Sequence, residues 1–509
     1  MANTDELCRS FLDLWWHFDP AAATLAGVPG HDGRLGAFDA GSIREHLAAF
    51  RSIAAAVEDL EVEETADEID RTALLDHLRV LLFRFEHEHP YQRNPALWLE
   101  HLGAALDGLL ARPAGDAADA AAALERVAAI PGFLAAARKT LRQPPRFLVE
   151  TALAQISALT PLLEEVGERF GGQDGVVPEA RRALEAMPAA LQGLAADPDP
   201  HAAAIGEDEV DRRLHYEHAS IHNAAEVWRG ALRLATEVEN EVIAGAAAID
   251  PERPWRELYR LLQEESVVWS QLSGELLEAI EAAGDFLESR GFSATAPALD
   301  VAPLPAAAAV LEPVACYRPA GAVSRATLLV GEPDRIAIPW LAVRFGVPGV
   351  HLHRSQSDAL GSLVRRHIVA ASTPLGWALY AQELMPELGF APEPEARLVE
   401  RVLFLRDVHL AIVDLGLHTR QLTPEEAVDH LCSRVPIERS AALADVRRLA
   451  CRPTSACAAI LGRQELRRLR DDVRAARGDG FELDGFHRAL FSYGGLPVPL
   501  IRWGMGLDG

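Results

Sequence analysis

Three groups of residues in this chain combine types and spacing that could do chemistry. The first is Glu86, His87, Glu88 and His89 in FRFEHEHPY. A helical zinc motif of the H-E-x-x-H kind would need a histidine at 91, where the chain has Tyr91. The segment reads instead as the polar end of a helix stopped by Pro90. The second group is His215, His218, His222 and Glu226, which a continuous helix would carry along one side. Such a row could touch a metal, but one helix rarely closes a coordination shell, and the flanking Arg212, Arg213 and Glu217 read as a solvated face. The third lies within 340–390. His351 and His353 have the spacing of strand neighbours on one face, His367 follows, and Glu383 and Glu387 fall on the next expected helix. Histidines ahead of a Glu-bearing helix are donors that zinc takes; the alternative is buried or loop imidazoles satisfied by hydrogen bonds.

The elements that must hold these residues are helices. Leu7, Phe11, Leu14, Trp15 and Phe18 recur at helical spacing and mark a core-facing stripe. Ser42 with Glu45 reads as a capping box. Thr423, Pro424, Glu425 and Glu426 read as a helix start in which the hydroxyl caps, proline takes the first position and acids meet the dipole. From about 42 to 290 the spacing predicts long helices broken at Pro113, Pro131, Pro144–Pro145, the Gly171–Pro178 stretch, Asp197–Pro200 and Pro251–Pro254. The proline-dense stretch 293–340 then offers short β-leaning runs such as Ala326–Val330, the one place for a small sheet. Helices resume to about Ala476. The expectation is a mainly α protein: a large multi-helix bundle with a small β-sheet, about 310–337, in its C-terminal half. It divides into an N-terminal helical region, 1–205, and a C-terminal region, 206–509, that holds the sheet and the site.

Composition narrows the function. The 509 residues carry 49 Lys+Arg against 75 Asp+Glu, a formal charge of −26, which argues against binding nucleic acid or an anionic membrane. Lys139 is the only lysine, and its setting, AAARKTLRQ, suits neither a Schiff base nor a phosphate-binding G-K-[ST] loop. Cys8, Cys316, Cys432, Cys451 and Cys457 are odd in number, far apart and without a C-x-x-C pair, which fits a reducing cytoplasm. The start, MANTDELCRSFLDLWW, lacks the basic region of a signal peptide, and no window offers the ~18 uncharged apolar residues of a membrane span. Neither export nor insertion is expected.

At PGVHLH and GWALYAQELMPELG the chain resembles the bacterial family named for domain of unknown function 885, which is related to the gluzincin metallopeptidases. Members show H-E-x-x-P-G-H-H-x-Q and then E-G-W-A-x-Y-A-E. LRDVHLAIVDLGLHTRQLTPEEAVDHL is similar to the family's next block, and so are PAAATLAGVPGHDGRL and FHRALFSYGGLPVPLIR near the ends. The resemblance covers essentially the whole chain and implies a gluzincin-like body with a zinc site.

The residues at the implied zinc positions depart from that pattern. Arg344 stands at the first zinc histidine, Phe345 at the general-base glutamate, Val350 at the second histidine and Leu375 at the glutamate ligand, while Gln382 replaces a further acid. A catalytic zinc needs about three N, S or O ligands and a carboxylate to take the proton of its water. Arginine has no lone pair to give and would repel the metal, and the apolar residues would fill its space. No catalytic residue and no zinc or other cofactor is therefore expected, and His409, Leu422 and Pro453–Thr454–Ser455–Ala456 depart from the family as well. His351, His353, Tyr380, Arg406, Asp414 and His418 remain as candidate cleft residues, with Asp414 and His418 one helical turn apart.

The sequence supports three readings. One is a peptidase-like protein without its zinc, keeping a cleft for a peptide or small molecule, where an extended peptide could add a strand to the small sheet. Another is a hydrolase with a metal or acid-base site rebuilt around His351, His353 and His418. The third is a non-catalytic structural or assembly protein. Oligomeric state is not legible in the chain.

Overall fold

Runs of alanine, leucine, glutamate and arginine lose little side-chain freedom in a helix. In the computed structural model, which describes residues 3–112, 117–172, 175–195, 199–263, 269–312, 314–321, 324–331 and 333–507, helices run from Thr4–Phe18 to Val498–Gly504. The architecture is mainly α with a small three-stranded sheet in the C-terminal half. Phe11 and Phe18 of the first helix are buried, with Leu7, Leu14 and Trp15 packed against them.

The cap at Thr423 forms as its sequence predicts, with the Glu426 N–H donating to Thr423 Oγ1 at 3.2 Å. Ser42 does not cap. Asp39, three residues earlier, takes the Gly41 and Ser42 N–H groups at 2.9 and 3.2 Å, and the Ser42 hydroxyl donates to that carboxylate. The expected breaks at Pro144–Pro145 and Pro251–Pro254 occur, as does one between Phe170 and Val176; Pro113 and Asp197–Pro198 lie outside the described residues. Pro131 breaks nothing. The Ala117–Thr140 helix runs through it, because Arg126, Val127, Ile130, Phe133 and Leu134 are buried along one face, and this packing offsets a proline penalty of about 3 kcal/mol.

The strands are β1 (Asp300–Pro303), β2 (Ala315–Arg318) and β3 (Thr327–Val330), in the order β1-β3-β2. β1 starts ahead of the expected sheet and runs parallel to β3, whereas β2 is antiparallel to it. The Gly331 N–H donates to the Val314 carbonyl at 2.8 Å, and β3 turns its alternate groups to β1 through Asp300 N to Ala326 O and Leu304 N to Val330 O. Alternation then points the N–H and C=O of Ala315 and Tyr317 away from β3. Among the described residues these groups have no backbone partner, so β2 is the unpaired edge of the sheet, with Ala315 buried and Tyr317 half-buried.

The main core joins residues from both sides of position 205: Phe11, Trp98 and Leu163 share one cluster with Trp377, Tyr380 and Phe486. The helices Ala117–Thr140 and Arg146–Phe170 are long and apolar enough to cross a membrane, yet each turns a face into this cluster. Arg126 of the former is fully buried and donates to Thr24 Oγ1 at 2.7 Å and to the Ala105 and His31 carbonyls at 2.8 Å.

Burial holds several imidazoles neutral: His353 and His418 are pushed down to about 4, and His409 and His487 to about 3. Below pH ~6.5 the unfolded chain takes up protons that these folded histidines refuse, so their contribution is present above that pH and lost as the pH falls. Burial raises Asp414 to about 6 and Glu465 to about 8, which acts in the opposite sense but over fewer groups. The melting temperature should therefore fall steadily between pH 6.5 and 4. Scanning calorimetry across that range checks this, and a flat profile would contradict the neutral histidines.

Candidate functional site

The 340–390 segment folds into the helices Ile338–Phe345, Val350–Asp358, Leu363–His367 and Ser372–Leu388. The last of these crosses Ser455–Arg477 where Gly376 meets Gly462. A methyl group on Gly462 would overlap the Ser372 carbonyl, and one on Gly376 the Gly462 backbone. Trp377, next to this crossing, donates its indole N–H to the Pro348 carbonyl at 2.7 Å. The P-G turn and the G-W pair, the two anchors of the family resemblance, therefore touch.

His351 and His353 lie on a helix, not on a strand. Ser355 and Ser357 donate their hydroxyls to the carbonyls four residues back, at His351 and His353. Two residues along a helix is about 200° of rotation, so the two rings point apart. His351 Nε2 lies 2.8 Å from the Pro297 carbonyl, which can only accept, so that nitrogen carries the hydrogen. Nδ1 is then the acceptor for the Tyr317 hydroxyl at 3.0 Å, an interaction with β2 that sequence reasoning missed. His353 instead meets Phe491 edge-on at 5.7 Å, with its Nε2 buried and unpartnered.

The four positions that the resemblance assigns to zinc chemistry have different surroundings. Arg344 forms a two-pronged ion pair with Asp407 and donates from Nε to Gln382 Oε1 at 2.9 Å. The Gln382 amide donates to Glu400, which pairs with Arg401, and Arg401 reaches Glu241 at 3.3 Å. Phe345 and Val350 are half-buried. Leu375 fills no hole: it is 38% exposed. Gly376 must face the other helix, and one residue earlier along a helix lies about 100° away, toward solvent.

Tyr380 is buried, its hydroxyl 3.0 Å from His487 Nε2. Arg406 donates to the buried Asp445 at 2.6 Å. Asp414 and His418 are 4.0 Å apart, but each is committed elsewhere. Asp414 accepts the N–H groups of Thr454, Ala456 and Cys457 at 3.0, 2.9 and 3.2 Å, capping the Ser455–Arg477 helix from outside it. These bonds favour its ionised form, yet burial prevails and raises its pKa. His418 donates from Nε2 to the Leu449 carbonyl at 2.9 Å. Glu383 is held by Arg463 and Arg467, and Glu387 by Arg470. The cleft candidates are thus distributed over several separate junctions of the fold.

The two outlying groups are also taken apart. The helix carrying His215 and His218 ends at His218, Ala219 turns left-handed, and Asn223 opens a new helix with Glu226 as its capping-box partner. The four residues therefore share no helix. Glu86 to Glu88 lie in a π-helical turn, and Glu88 is buried in a paired contact with Arg213 at 2.6 and 2.8 Å. Among the described residues no three His, Cys, Asp or Glu side chains come together to hold a metal ion. At the positions that the resemblance assigns to zinc, arginine, phenylalanine, valine and leucine offer it no donor atom.

Arg344→Met should leave the Asp407 carboxylate without its partner in a half-buried place and cost about 2–3 kcal/mol. Adding Asp407→Leu should recover most of that loss. Urea denaturation of the parent and both variants is the measurement, and a single variant as stable as the parent would show that the ion pair holds nothing together.

Two solved structures share this fold. One, from Shewanella oneidensis, is titled a "putative lipoprotein of unknown function"; it is 20% identical, aligns over 99% of this chain and 100% of its own, and has a TM-score of 0.78. The other, a "putative lipoprotein" from Colwellia psychrerythraea, is 15% identical over 100% of both chains, with a TM-score of 0.84. No curated protein matches the sequence. The profile of the bacterial proteins of unknown function called DUF885 matches residues 20–505, so the chain belongs to that family.

Proposed function

We propose that this protein binds an extended peptide along the open edge of β2 and does not hydrolyse it with zinc. The observation that carries the reading is the outward N–H and C=O of Ala315 and Tyr317, beside a Tyr317 hydroxyl already fixed by His351. Backbone groups on a strand edge recognise an extended chain whatever its side chains. The loss of zinc follows from the donor set: the Arg344 guanidinium, locked to Asp407 and Gln382, stands at the family's first zinc position. In this reading the body is that of a metallopeptidase-like protein that keeps a strand edge after losing its catalyst.

A fluorescein-labelled heptapeptide, followed by fluorescence anisotropy, tests the binding. Ala315→Pro removes one outward N–H without touching a bond to β3, because that N–H has no partner in the ladder. The heptapeptide should bind the parent and lose roughly fivefold in affinity on Ala315→Pro, with the melting temperature measured alongside to separate lost binding from lost fold. No binding to the parent, or equal binding to the variant, would overturn the reading. Elemental mass spectrometry of protein loaded with zinc and then desalted tests the second part; one tightly held zinc per chain would overturn it.

A further inference from the structure

Two helix faces leave a small cleft between them. On the helix Ala224–Ile249, Glu241, Gly245 and Ala248 follow at i, i+4 and i+7, along one side. On Pro394–His418, Arg397 and Arg401 stand one turn apart with Leu398 beside them. Together with Pro394 these residues line a space of about 210 Å³, open to solvent where Glu241, Ala248 and Pro394 are exposed. Glycine weakens a helix interior, and the packing does not demand it at 245: a methyl group there would meet Leu398 Cδ1 at 3.9 Å, an ordinary contact. The side chain that Gly245 lacks leaves room in the cleft.

The cleft carries charges of both signs. Arg401 is closed by Glu400, which accepts from its Nε and Nη2, while its Nη1 reaches Glu241 at 3.3 Å. Among the described residues that single contact is all that holds the exposed Glu241 carboxylate. Arg397 is half-buried and meets no carboxylate among them; its side chain makes one bond, from Nη2 to the Pro386 carbonyl at 2.7 Å. It stands one helical turn, about 6 Å, before Arg401. A guanidinium with donors to spare and a loosely held carboxylate thus flank the same small space, beside the aliphatic surface of Ala248 and Leu398. The run of contacts that starts at Arg344 and passes through Gln382 and Glu400 to Arg401 ends in this cleft.

We propose that the cleft binds a free α-amino acid with an aliphatic side chain. Arg397 takes the carboxylate through parallel N–H bonds, Glu241 accepts from the ammonium group, and the side chain lies on Leu398 and Ala248. A carboxylate matches the fork of a guanidinium, and such charge-assisted bonds are about twice as strong as neutral ones. A cavity of ~150 Å³ holds benzene, so a space of about 210 Å³ has room for about eight to ten heavy atoms, the size of leucine. The site lies on helices outside the sheet and does not depend on the strand-edge reading.

The test is isothermal titration of the full chain with leucine, with leucinamide, which lacks the carboxylate, and with 4-methylpentanoate, which lacks the ammonium group. Leucine should bind the parent with a Kd of about 1 mM or tighter, and each analogue at least tenfold more weakly. Gly245→Leu should abolish leucine binding by filling the cleft, and because it replaces a glycine inside a helix it should melt no lower than the parent. Arg397→Gln, on the opposite helix, should weaken leucine roughly tenfold, which keeps the test decisive if the larger side chain disturbs the crossing. No binding of leucine to the parent overturns the proposal. Undiminished binding to both variants overturns the location, and an analogue that binds as tightly as leucine overturns recognition of the paired charges.

Discussion

The contact on which the site region depends is the crossing of two helices at Gly376 and Gly462, where no side chain separates the backbones. Once that approach is set, the directions of the neighbouring residues follow from helical geometry. Tyr380, Glu383 and Glu387 lie on the same face as Gly376 and meet Arg463, Arg467 and Arg470 of the crossing helix. Trp377 turns to the Pro348 carbonyl and holds the turn that launches the His351 helix. Gln382 turns toward Arg344 and Glu400, and Leu375 toward water. A single pair of glycines thus positions the ion pairs, the P-G turn and, through His351, the Tyr317 side chain of β2.

Several charges inside this helical body come in pairs. Arg213 with Glu88, Arg406 with Asp445 and Arg344 with Asp407 each bring together elements far apart in the chain. A buried ion pair adds little net stability, because desolvation cancels most of the attraction, but removing one partner is expensive. Such pairs therefore select which helices meet more than they strengthen the meeting. Arg126 achieves the same end with carbonyls and a hydroxyl in place of a carboxylate.

Local signals in the sequence were reliable where the physics is local. The Thr423 cap needs only its own neighbours to form, and the Phe11–Phe18 stripe and the Ala326–Val330 run carry the pattern of their element in their own residues. Ser42 failed as a cap because Asp39, a carboxylate, offered its N–H groups a stronger acceptor. Pro131 failed as a break because tertiary packing overruled it. The alternating H-L-H at 351–353 fits a strand as well as a short helix, and only the Pro348 turn and the Ser355 and Ser357 side chains decide between them. Glu88 and Arg213 are 125 residues apart, so nothing in the chain could announce their pairing. The family blocks proved to be contact points: Trp377 meets Pro348, Asp414 meets Thr454, and Tyr380 meets His487. A resemblance locates such junctions without telling whether a residue there holds the fold or a ligand.

The brevity of β2 sets what its edge can do. With four residues, only Ala315 and Tyr317 face outward, each with one N–H and one C=O. At about 1 kcal/mol net per hydrogen bond, such an edge offers about 4 kcal/mol, which corresponds to millimolar binding before the cost of association is counted. A longer open strand would bind better but would also invite other strands and aggregation. Backbone recognition here is necessarily weak and unselective, so useful affinity has to come from side chains beyond the strand. Tyr317, held by His351, begins that flank, and the chemistry next to it decides which chains the edge retains.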